Sequence, residues 1–432
     1  MICDNLGINQ RGNLTLAGYD TVELANKYST PLYLFDEEKI RQNCRVYVDA
    51  MNKFFGNGSK ALYASKAASF KQIYRIVNEE GMGVDVVSGG ELYTAISAGV
   101  QPQNIYFHGN NKTDSEIEYA IESKIGYFIA DSTEEISTIN EIAKEKGRVQ
   151  DILLRITPGI DPHTYAAVAT GKVDSKFGFA IQTGAAKKAV LRSLKLDNIN
   201  LVGFHCHIGS QVFDSDVYFK TADVMLKFIA DIKAECSYQA EILNLGGGYG
   251  VRYVESDPKI DIFANIAQVA DRVKGKCEEY GISVPSIRME PGRSIVADAG
   301  LTLYTVGSVK NIPTYKSYVS VDGGMTDNPR YALYGSAYTV VAANKMTEAA
   351  TFNCTLAGRC CESGDIIQEN VNLPESVCRG DIVAVLTTGA YNYSMASNYN
   401  RVPRPPVVML NKKEDYVAVK RETYENMVSL DI

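Results

Sequence analysis

Polar and ionisable residues stand directly after a series of short apolar runs in the first two thirds of the chain. They include residue types that can do chemistry: a lysine, histidines, carboxylates, an arginine and consecutive glycines. In chain order they are Ser65-Lys66, Asp85–Ser88, His108, Asp131, Arg155, His205-Cys206-His207, Gly246-Gly247-Gly248 and Glu290-Pro291-Gly292-Arg293. Because random loop composition would place such residues after only a few runs, the pattern predicts that they share one polar site.

Lys66, within Tyr63–Ala68, is a candidate for imine chemistry. A lysine at the end of a buried strand can be desolvated, which lowers the pKa of its ammonium group and frees the amine to attack a carbonyl. A surface lysine at the start of a helix is the alternative interpretation.

The glycine run Gly246–Gly248 is a candidate phosphate-binding loop. Consecutive glycines let backbone N–H groups approach and surround a phosphate. The run lacks the Gly-Lys-Ser/Thr of an ATP-binding loop and does not fit a dinucleotide fingerprint. It therefore favours a ligand with one phosphate, and a simple tight turn is the alternative. Ser210, at a turn, is a further candidate donor to the phosphate.

His205 and His207 are two residues apart, so in a strand their side chains face the same side. The chain has 4 histidines and offers no third ligand at a suitable spacing, so we predict no metal site. Stacking of one imidazole on a planar cofactor, and a core position for the other, are the remaining interpretations.

Glu290 and Arg293 enclose a Pro-Gly turn after the last of the apolar runs. A carboxylate beside a pyridine nitrogen keeps that nitrogen protonated and makes the ring a strong electron sink. An ordinary Glu–Arg ion pair is the alternative. A lysine for an imine, glycines for one phosphate and a carboxylate for a pyridinium together indicate pyridoxal 5′-phosphate (PLP).

These residues need a scaffold that brings the ends of many strands together. Eight nearly continuous apolar runs are typical of parallel strands covered on both faces. They are Lys60–Ala64, Val84–Ser88, Asn104–His108, Tyr127–Asp131, Ile152–Ile156, Val202–Cys206, Ile242–Leu245 and Ile287–Glu290. Helical segments alternate with them, so the sequence predicts a (β/α)8 TIM barrel, in which catalytic residues collect at the C-terminal ends of the strands. An open doubly wound sheet fits the same alternation.

After Ala299 the alternation gives way to short strands separated by Gly, Pro and Asn turns. The predicted strands are Leu301–Lys310, Tyr318–Val321, Ala337–Val341, Ala350–Leu356 and Asp381–Leu386. Helical character returns only at Gly389–Asn398, and Leu14–Leu16 also reads as a strand. We predict a barrel domain at residues 32–297 and a mainly β domain, sandwich- or barrel-like, from residues 1–31 and 298–432.

The composition excludes several classes of protein. Hydrophobic residues make up 45% of the chain and charged residues 22%, as in globular proteins with an ample core. The net charge of −7 provides no basic field for a nucleic acid or an anionic membrane. The 9 cysteines lack the spacing of a disulfide framework, and neither a signal peptide nor a long apolar span is evident. We therefore expect a reduced, cytoplasmic protein.

The longer motifs resemble the barrel-type PLP-dependent amino-acid decarboxylases and, within them, the diaminopimelate decarboxylase family. The resemblance covers nearly the whole chain. The segments that carry it are Tyr63–Ala67, Gly203–Gln211, Leu245–Gly248, Glu290–Arg293, Cys361–Asp365 and Gly389–Tyr391.

The resemblance implies a role for each of these residues. Lys66 is the Schiff-base lysine, His207 stacks on the cofactor ring and Glu290 pairs with the pyridine nitrogen. Cys361 donates a proton to the α-carbon from the second subunit of a homodimer. The implied cofactor-binding residues are Lys66, His207, Ser210, Gly246, Gly247, Gly248, Glu290, Pro291, Gly292, Arg293 and Tyr391. The implied substrate-binding residues are Arg293, Arg330, Tyr334, Glu362 and Tyr391. The adjacent Cys360 leaves open which thiol acts, and a buried small hydrophobe is the alternative for Cys361.

The implied reaction is the decarboxylation of meso-2,6-diaminopimelate to L-lysine and CO₂, the last step of lysine biosynthesis. Glu362 with Arg293 and Arg330 suits a distal group that carries both charges, because arginine can bind a carboxylate bidentately. Polyamine-forming relatives tend to have Asp at position 362. Tyr331 departs from the expected pattern, which has Pro after the arginine. The alternatives are a decarboxylase of the same fold for ornithine, arginine or carboxynorspermidine, a cofactor-free Schiff-base aldolase and a non-catalytic PLP-binding protein.

Overall fold

The computed structural model describes residues 1–56, 58–160 and 175–432, which form two compact units. The barrel unit consists of Asn43–Gly250 and Lys259–Gly292. The β unit consists of Met1–Gln42, Val251–Pro258 and Arg293–Ile432. The domain limits predicted from the sequence, at residues 32 and 297, stay a prediction.

The barrel unit contains the closed parallel barrel that the sequence predicts, and the open sheet is thereby excluded. Its eight strands are Lys60–Ala64, Gly83–Val86, Ile105–Phe107, Tyr127–Ala130, Gln150–Thr157, Ile199–His205, Ile242–Asn244 and Ser286–Met289. The eighth strand pairs with the first through Met289 and Ala61, which closes the barrel. Buried side chains from six of the strands form one core cluster: Leu62, Tyr106, Ile129, Leu153, Val202 and Ile242. A further short strand, Phe179–Ala180, pairs with the fifth strand.

Helices alternate with the barrel strands, and several begin at a residue whose side chain caps the first turn. The Ser88 hydroxyl accepts a hydrogen bond from the backbone N–H of Glu91, and the Ser132 hydroxyl accepts one from Glu135. The α-helices from residue 37 to residue 280 are Glu37–Ala50, Lys71–Glu79, Gly89–Ser97, Asp114–Glu122, Thr133–Glu145, Ala185–Ser193, Ser215–Cys236 and Ile262–Tyr280. A π-helical turn at Met51–Phe55 and 3-10 turns at Ser65–Ala67 and Pro102–Asn104 complete them.

The β unit is built on one nine-stranded sheet. Its strands are Leu32–Asp36, Gly300–Ile312, Lys316–Val321, Val340–Ala342, Ala350–Ala357, Ile366–Pro374, Ile382–Leu386, Val407–Leu410 and Asp415–Val419. The strand Leu14–Leu16 forms a separate small sheet with Leu6–Ile8 and Tyr19–Asp20, and its leucines pack into the core of the unit. The α-helices of the unit are Thr21–Tyr28, Arg293–Val296, Arg330–Tyr334 and Tyr424–Val428.

The helix predicted at Gly389–Asn398 is wrong. Tyr391 has a φ of +61°, in the left-handed region, so a right-handed helix cannot continue through it. The Asn392 side chain donates hydrogen bonds to the carbonyls of Thr388 and Ala390, which stabilises the turn. Only 3-10 turns remain nearby, at Tyr393–Met395 and Tyr399–Arg401.

None of the helices in the described part of the chain is both long and apolar enough to cross a membrane.

Candidate active site

Glu290 is the centre of a buried polar cluster at the C-terminal ends of the barrel strands. It follows the eighth strand, and its Oε1 accepts a hydrogen bond of 2.6 Å from the amide of Asn244, the last residue of the seventh strand. The Nε2 of His108 lies 2.8 Å from Oε1, and the Nε2 of His205 lies 3.2 Å from Oε2. Burial acts to raise the pKa of Glu290, but His108 and His205 together lower it well below its ordinary value. The carboxylate is therefore ionised.

The two imidazoles beside Glu290 are themselves buried. Burial lowers the pKa of His205 to about 4, so its ring is neutral and its Nε2–H donates to Glu290. Asp85 lies near the same nitrogen of His108 as Glu290, with 3.8 Å between Oδ1 and Nε2, and burial raises the pKa of Asp85 to about 6.

The sequence offered no third metal ligand at a suitable spacing, but the fold brings His108 and Glu290 close to His205. His108, His205 and Glu290 place their ligand atoms within 4.8 Å of one another, a set that could also hold a metal ion. The Nδ1 atom of His205 is buried and lacks a hydrogen-bond partner among the described residues. The strand-end pattern placed all three residues at one polar site, but spacing along the chain does not show which of their side chains come within ligand distance of one another.

The glycine loop is shaped by close contacts between backbones. A Cβ on Gly247 would lie 2.1 Å from the carbonyl oxygen of Glu290, so no larger residue fits there. Gly248 has a φ of +114°, which only glycine adopts readily, and a Cβ there would lie 2.5 Å from the carbonyl oxygen of Gly209. The glycine loop thus packs directly against the backbone of Glu290 and against the backbone of Gly209, the residue before Ser210.

His207 is half-buried beside the glycine loop. Its Nδ1 accepts a hydrogen bond of 3.3 Å from the N–H of Gly247, which leaves the ring proton on Nε2. Burial, and then the charges of Lys66 and Arg155, lower the pKa of His207 well below its ordinary value. The imidazole is therefore neutral, which suits stacking on an aromatic ring.

Lys66 lies in the 3-10 turn Ser65–Ala67 that follows the first strand. Ser65 and Ala67 are buried, whereas the Lys66 side chain is exposed. The desolvation assumed from the sequence is therefore not present. The placement at the end of a barrel strand agrees with the sequence, as it does for His207 and Glu290.

The β unit contains a second cluster, in which two arginines meet one tyrosine. Arg293 Nη1 donates to the phenol oxygen of Tyr253 over 2.6 Å, and Arg330 Nη1 donates to the same oxygen over 3.0 Å. The Tyr391 ring lies under both guanidinium groups, with centroid distances of 4.7 Å from Arg293 and 5.7 Å from Arg330. Tyr253 was missed in the sequence, because nothing in the spacing links it to either arginine.

Arg330 is a buried cation whose acceptors are hydroxyl groups. It is 6% exposed and donates to Tyr253, Tyr338 and Ser336. Burial alone would lower its pKa, but the two phenols raise it.

The Tyr331 that replaces the expected proline donates to Glu369 over 2.8 Å and does not prevent the short helix Arg330–Tyr334. Tyr334, at the end of this helix, is 43% exposed.

The adjacent cysteines differ in environment. Cys361 is exposed, and its N–H donates to the side-chain oxygen of Asn400 over 2.8 Å. The N–H of Cys360 donates to Asp365 over 2.6 Å, and burial and then the Asp365 carboxylate raise the pKa of the Cys360 thiol to about 11. Glu362 is exposed and accepts hydrogen bonds within its own turn. Cys361 and Glu362 are thus the accessible pair of this turn.

The comparisons with known proteins agree with this chemistry. Residues 37–297 match the family model of the pyridoxal-dependent decarboxylase, pyridoxal binding domain. The chain is 46% identical to the diaminopimelate decarboxylase of Bacillus subtilis (strain 168), over 98% of this chain and 96% of that protein. It is 45% identical to the enzyme of the same name from Staphylococcus aureus (strain COL), over 98% of each.

Solved structures give the same result. The crystal structure of diaminopimelate decarboxylase from M. jannaschii in complex with L-lysine has a TM-score of 0.92 and 36% identity, covering 100% of this chain and 98% of that one. A lysine/ornithine decarboxylase from Vibrio vulnificus, complexed with putrescine, has a TM-score of 0.75 at 21% identity, which shows a shared fold only.

The residues of the barrel unit fit PLP. An ionised carboxylate is in place for a pyridine nitrogen, a neutral imidazole for the ring, and a loop for a phosphate, in which a Cβ on Gly248 would meet backbone. PLP is the cofactor that the matched family model names. The chain belongs to the diaminopimelate decarboxylase family and is a PLP-dependent carboxy-lyase.

Proposed function

We propose that this chain carries out the reaction of its family, the decarboxylation of meso-2,6-diaminopimelate to L-lysine and CO₂, with the residues described above. This is the last step of lysine biosynthesis. The observation that carries the choice of substrate is the buried guanidinium of Arg330, which is surrounded by hydroxyl groups. Among the described residues, no carboxylate pairs with Arg330. A buried cation of this kind is stabilised by an anionic ligand, such as the distal carboxylate of the substrate.

The barrel unit supplies most of the residues for the cofactor, and the β unit supplies Arg293 and Tyr391. Lys66 would provide the amine that attaches it, and the ionised Glu290 would keep a proton on the pyridine nitrogen. His207 would offer its neutral ring to the cofactor ring. When bound, PLP supplies the sink for the electrons released as CO₂ leaves. The residues for the phosphate and its surroundings are Ser210, Gly246, Gly247, Gly248, Pro291, Gly292, Arg293 and Tyr391.

The β unit supplies the residues for the distal end of the substrate. Arg330 and Arg293 bind the distal carboxylate through their planar N–H groups. Glu362 binds the distal ammonium; its carboxylate is exposed, and its pKa is lowered by the hydrogen bond from the Gly364 N–H. Tyr334 and Tyr391 complete the binding residues. A substrate with only an ammonium at this end would leave the guanidinium charges unmatched.

Cys361 is the proton donor to the α-carbon. It is exposed, whereas the Cys360 thiol has a pKa of about 11 and its N–H is bound to Asp365. An exposed turn that carries a thiol suits action on another subunit, so the proposal includes a homodimer with shared active sites. All nine cysteines are free thiols, which supports a reducing, cytoplasmic location. The domain limits at residues 32 and 297 remain part of the proposal.

The test is CO₂ release from meso-diaminopimelate compared with ornithine, arginine and carboxynorspermidine. We expect kcat/KM to be highest for meso-diaminopimelate, because only this substrate places a carboxylate and an ammonium together at its distal end. A ten-fold preference for any of the other three would overturn the choice of substrate.

A further inference from the structure

Tyr253 joins the two arginines of the β unit through a single oxygen atom. Its phenol accepts hydrogen bonds of 2.6 Å from Arg293 and 3.0 Å from Arg330. All three side chains are buried, with exposed fractions of 5 or 6%. Two like charges that share one acceptor are held at a fixed spacing, against the repulsion that would otherwise separate them.

The phenol itself is fixed by its backbone and its ring. The N–H of Tyr253 donates to Asp257 Oδ2 over 2.8 Å, and its carbonyl accepts from both the N–H and the hydroxyl of Thr339. Its ring meets the Tyr338 ring edge to face, with 5.2 Å between centroids. The oxygen between the arginines therefore has little freedom to move.

We propose that Tyr253 is a positioning residue that sets specificity for the distal carboxylate. The inference rests on the function proposed above. The shared oxygen orients the planar N–H groups of Arg293 and Arg330, so that a carboxylate meets a preformed pair of donors. A preformed pair loses less conformational freedom on binding than two independent arginine side chains.

Tyr338 provides a matched control. It is also a buried phenol and also contacts Arg330, over 3.3 Å, but within the described part of the chain its hydroxyl has no hydrogen bond to a second arginine. Tyr253→Phe and Tyr338→Phe each remove one hydroxyl and keep the ring. Only the first removes the bridge.

The experiment measures binding of two ligands to the holoenzyme by calorimetry. L-lysine carries the carboxylate in question, and cadaverine is the same diamine without it. In Tyr253→Phe we expect the affinity for L-lysine to fall about ten-fold or more, as on loss of a charged hydrogen bond, and the affinity for cadaverine to change less than about two-fold. In Tyr338→Phe we expect the affinity for either ligand to fall less than about three-fold. In turnover, KM for meso-diaminopimelate should rise in Tyr253→Phe more than kcat falls.

A double-mutant cycle with Arg330→Lys tests whether Tyr253 acts through the guanidinium. If it does, Tyr253→Phe has little further effect on L-lysine binding in that background. The inference would be overturned if Tyr253→Phe lowered the affinity for both ligands equally or left the affinity for L-lysine unchanged. Full additivity of the two substitutions in the cycle would also overturn it. A wild-type enzyme that fails to release CO₂ from meso-diaminopimelate would instead overturn the proposed function, so the two failures are distinct.

Discussion

Two buried carboxyl groups, one in each unit, have pKa values that are shifted in opposite directions. In the barrel unit, Glu290 is ionised, because His108 and His205 outweigh the effect of burial on its pKa. In the β unit, burial raises the pKa of Asp327 to about 7, although Tyr304 donates a hydrogen bond to it and the N–H of Gly324 lies 3.0 Å from its second oxygen. Burial alone favours the neutral acid, so a carboxylate in a core stays charged only where its partners stabilise the charge.

The arginines of the β unit extend the comparison to positive charge. Glu290 stays ionised beside the neutral His205, whereas Arg330 donates to phenols and a serine hydroxyl. The charge of the barrel cluster is thus available to a protonated pyridine nitrogen. We propose that an anion completes the arginine cluster. The first arrangement suits a resident cofactor and the second suits a substrate that comes and goes.

The largest expected effect follows from removing the charge of Glu290. In Glu290→Gln, we expect kcat for CO₂ release to fall about a hundred- to a thousand-fold, because no carboxylate holds the proton on the pyridine nitrogen. Glu135→Gln is the control, since it also removes a buried carboxylate of the barrel unit, one paired with Lys112 over 2.6 Å. Equal losses of kcat in the two folded variants would show that buried charge in general is responsible, and the comparison would fail.

A somewhat smaller effect is expected at the cysteine pair. Cys361→Ala should lower kcat about a hundred-fold, as expected on loss of a general acid, while Cys360→Ala should change it less than about three-fold. The measurement is steady-state CO₂ release with both variants at the same cofactor saturation. The reverse order would assign the proton to Cys360.

Mixed subunits test the sharing of sites. Dimers formed from Lys66→Ala and Cys361→Ala chains should regain activity, because one of their two sites then contains both wild-type residues. Mixtures that stay inactive, although heterodimers form, would contradict the proposed homodimer with shared sites.

A further effect is expected from Arg330→Lys. The variant keeps the positive charge but loses the planar set of donors, so KM for meso-diaminopimelate should rise about ten-fold and kcat should change little. Steady-state kinetics separate the two constants. A fall in kcat at constant KM would place Arg330 in the chemistry of the reaction rather than in binding.

Much of the barrel cluster could be predicted from the sequence, because buried parallel strands are continuous apolar runs and the functional residues follow them directly. Lys66, His207 and Glu290 were located in this way. The contact of Asn244 with Glu290 could not be, since an apolar run does not show which of its polar side chains points toward the neighbouring strand end. The same holds for Tyr253, whose partners lie 40 and 77 positions away in the chain. The turn at Tyr391 was read as helical because sequence pattern does not reveal a left-handed residue.

The smallest expected effect concerns the contributions of the two carboxyl groups to the stability of the protein, which depend on pH. The pKa of Asp327 in the folded protein, about 7, lies above its ordinary value of 3.8. Its contribution to the free energy of unfolding is therefore fully present below about pH 4 and is lost as the pH rises through about 7. In Asp327→Asn this loss should disappear, so urea denaturation should show a shallower fall in stability over that range.

Glu290→Gln should alter the slope in the opposite sense, because the lowered pKa of Glu290 gives stability that is present above its ordinary value and is lost in acid. Slope changes of the same sign in the two variants would mean that the pKa values of the two buried carboxyl groups are not shifted in opposite directions.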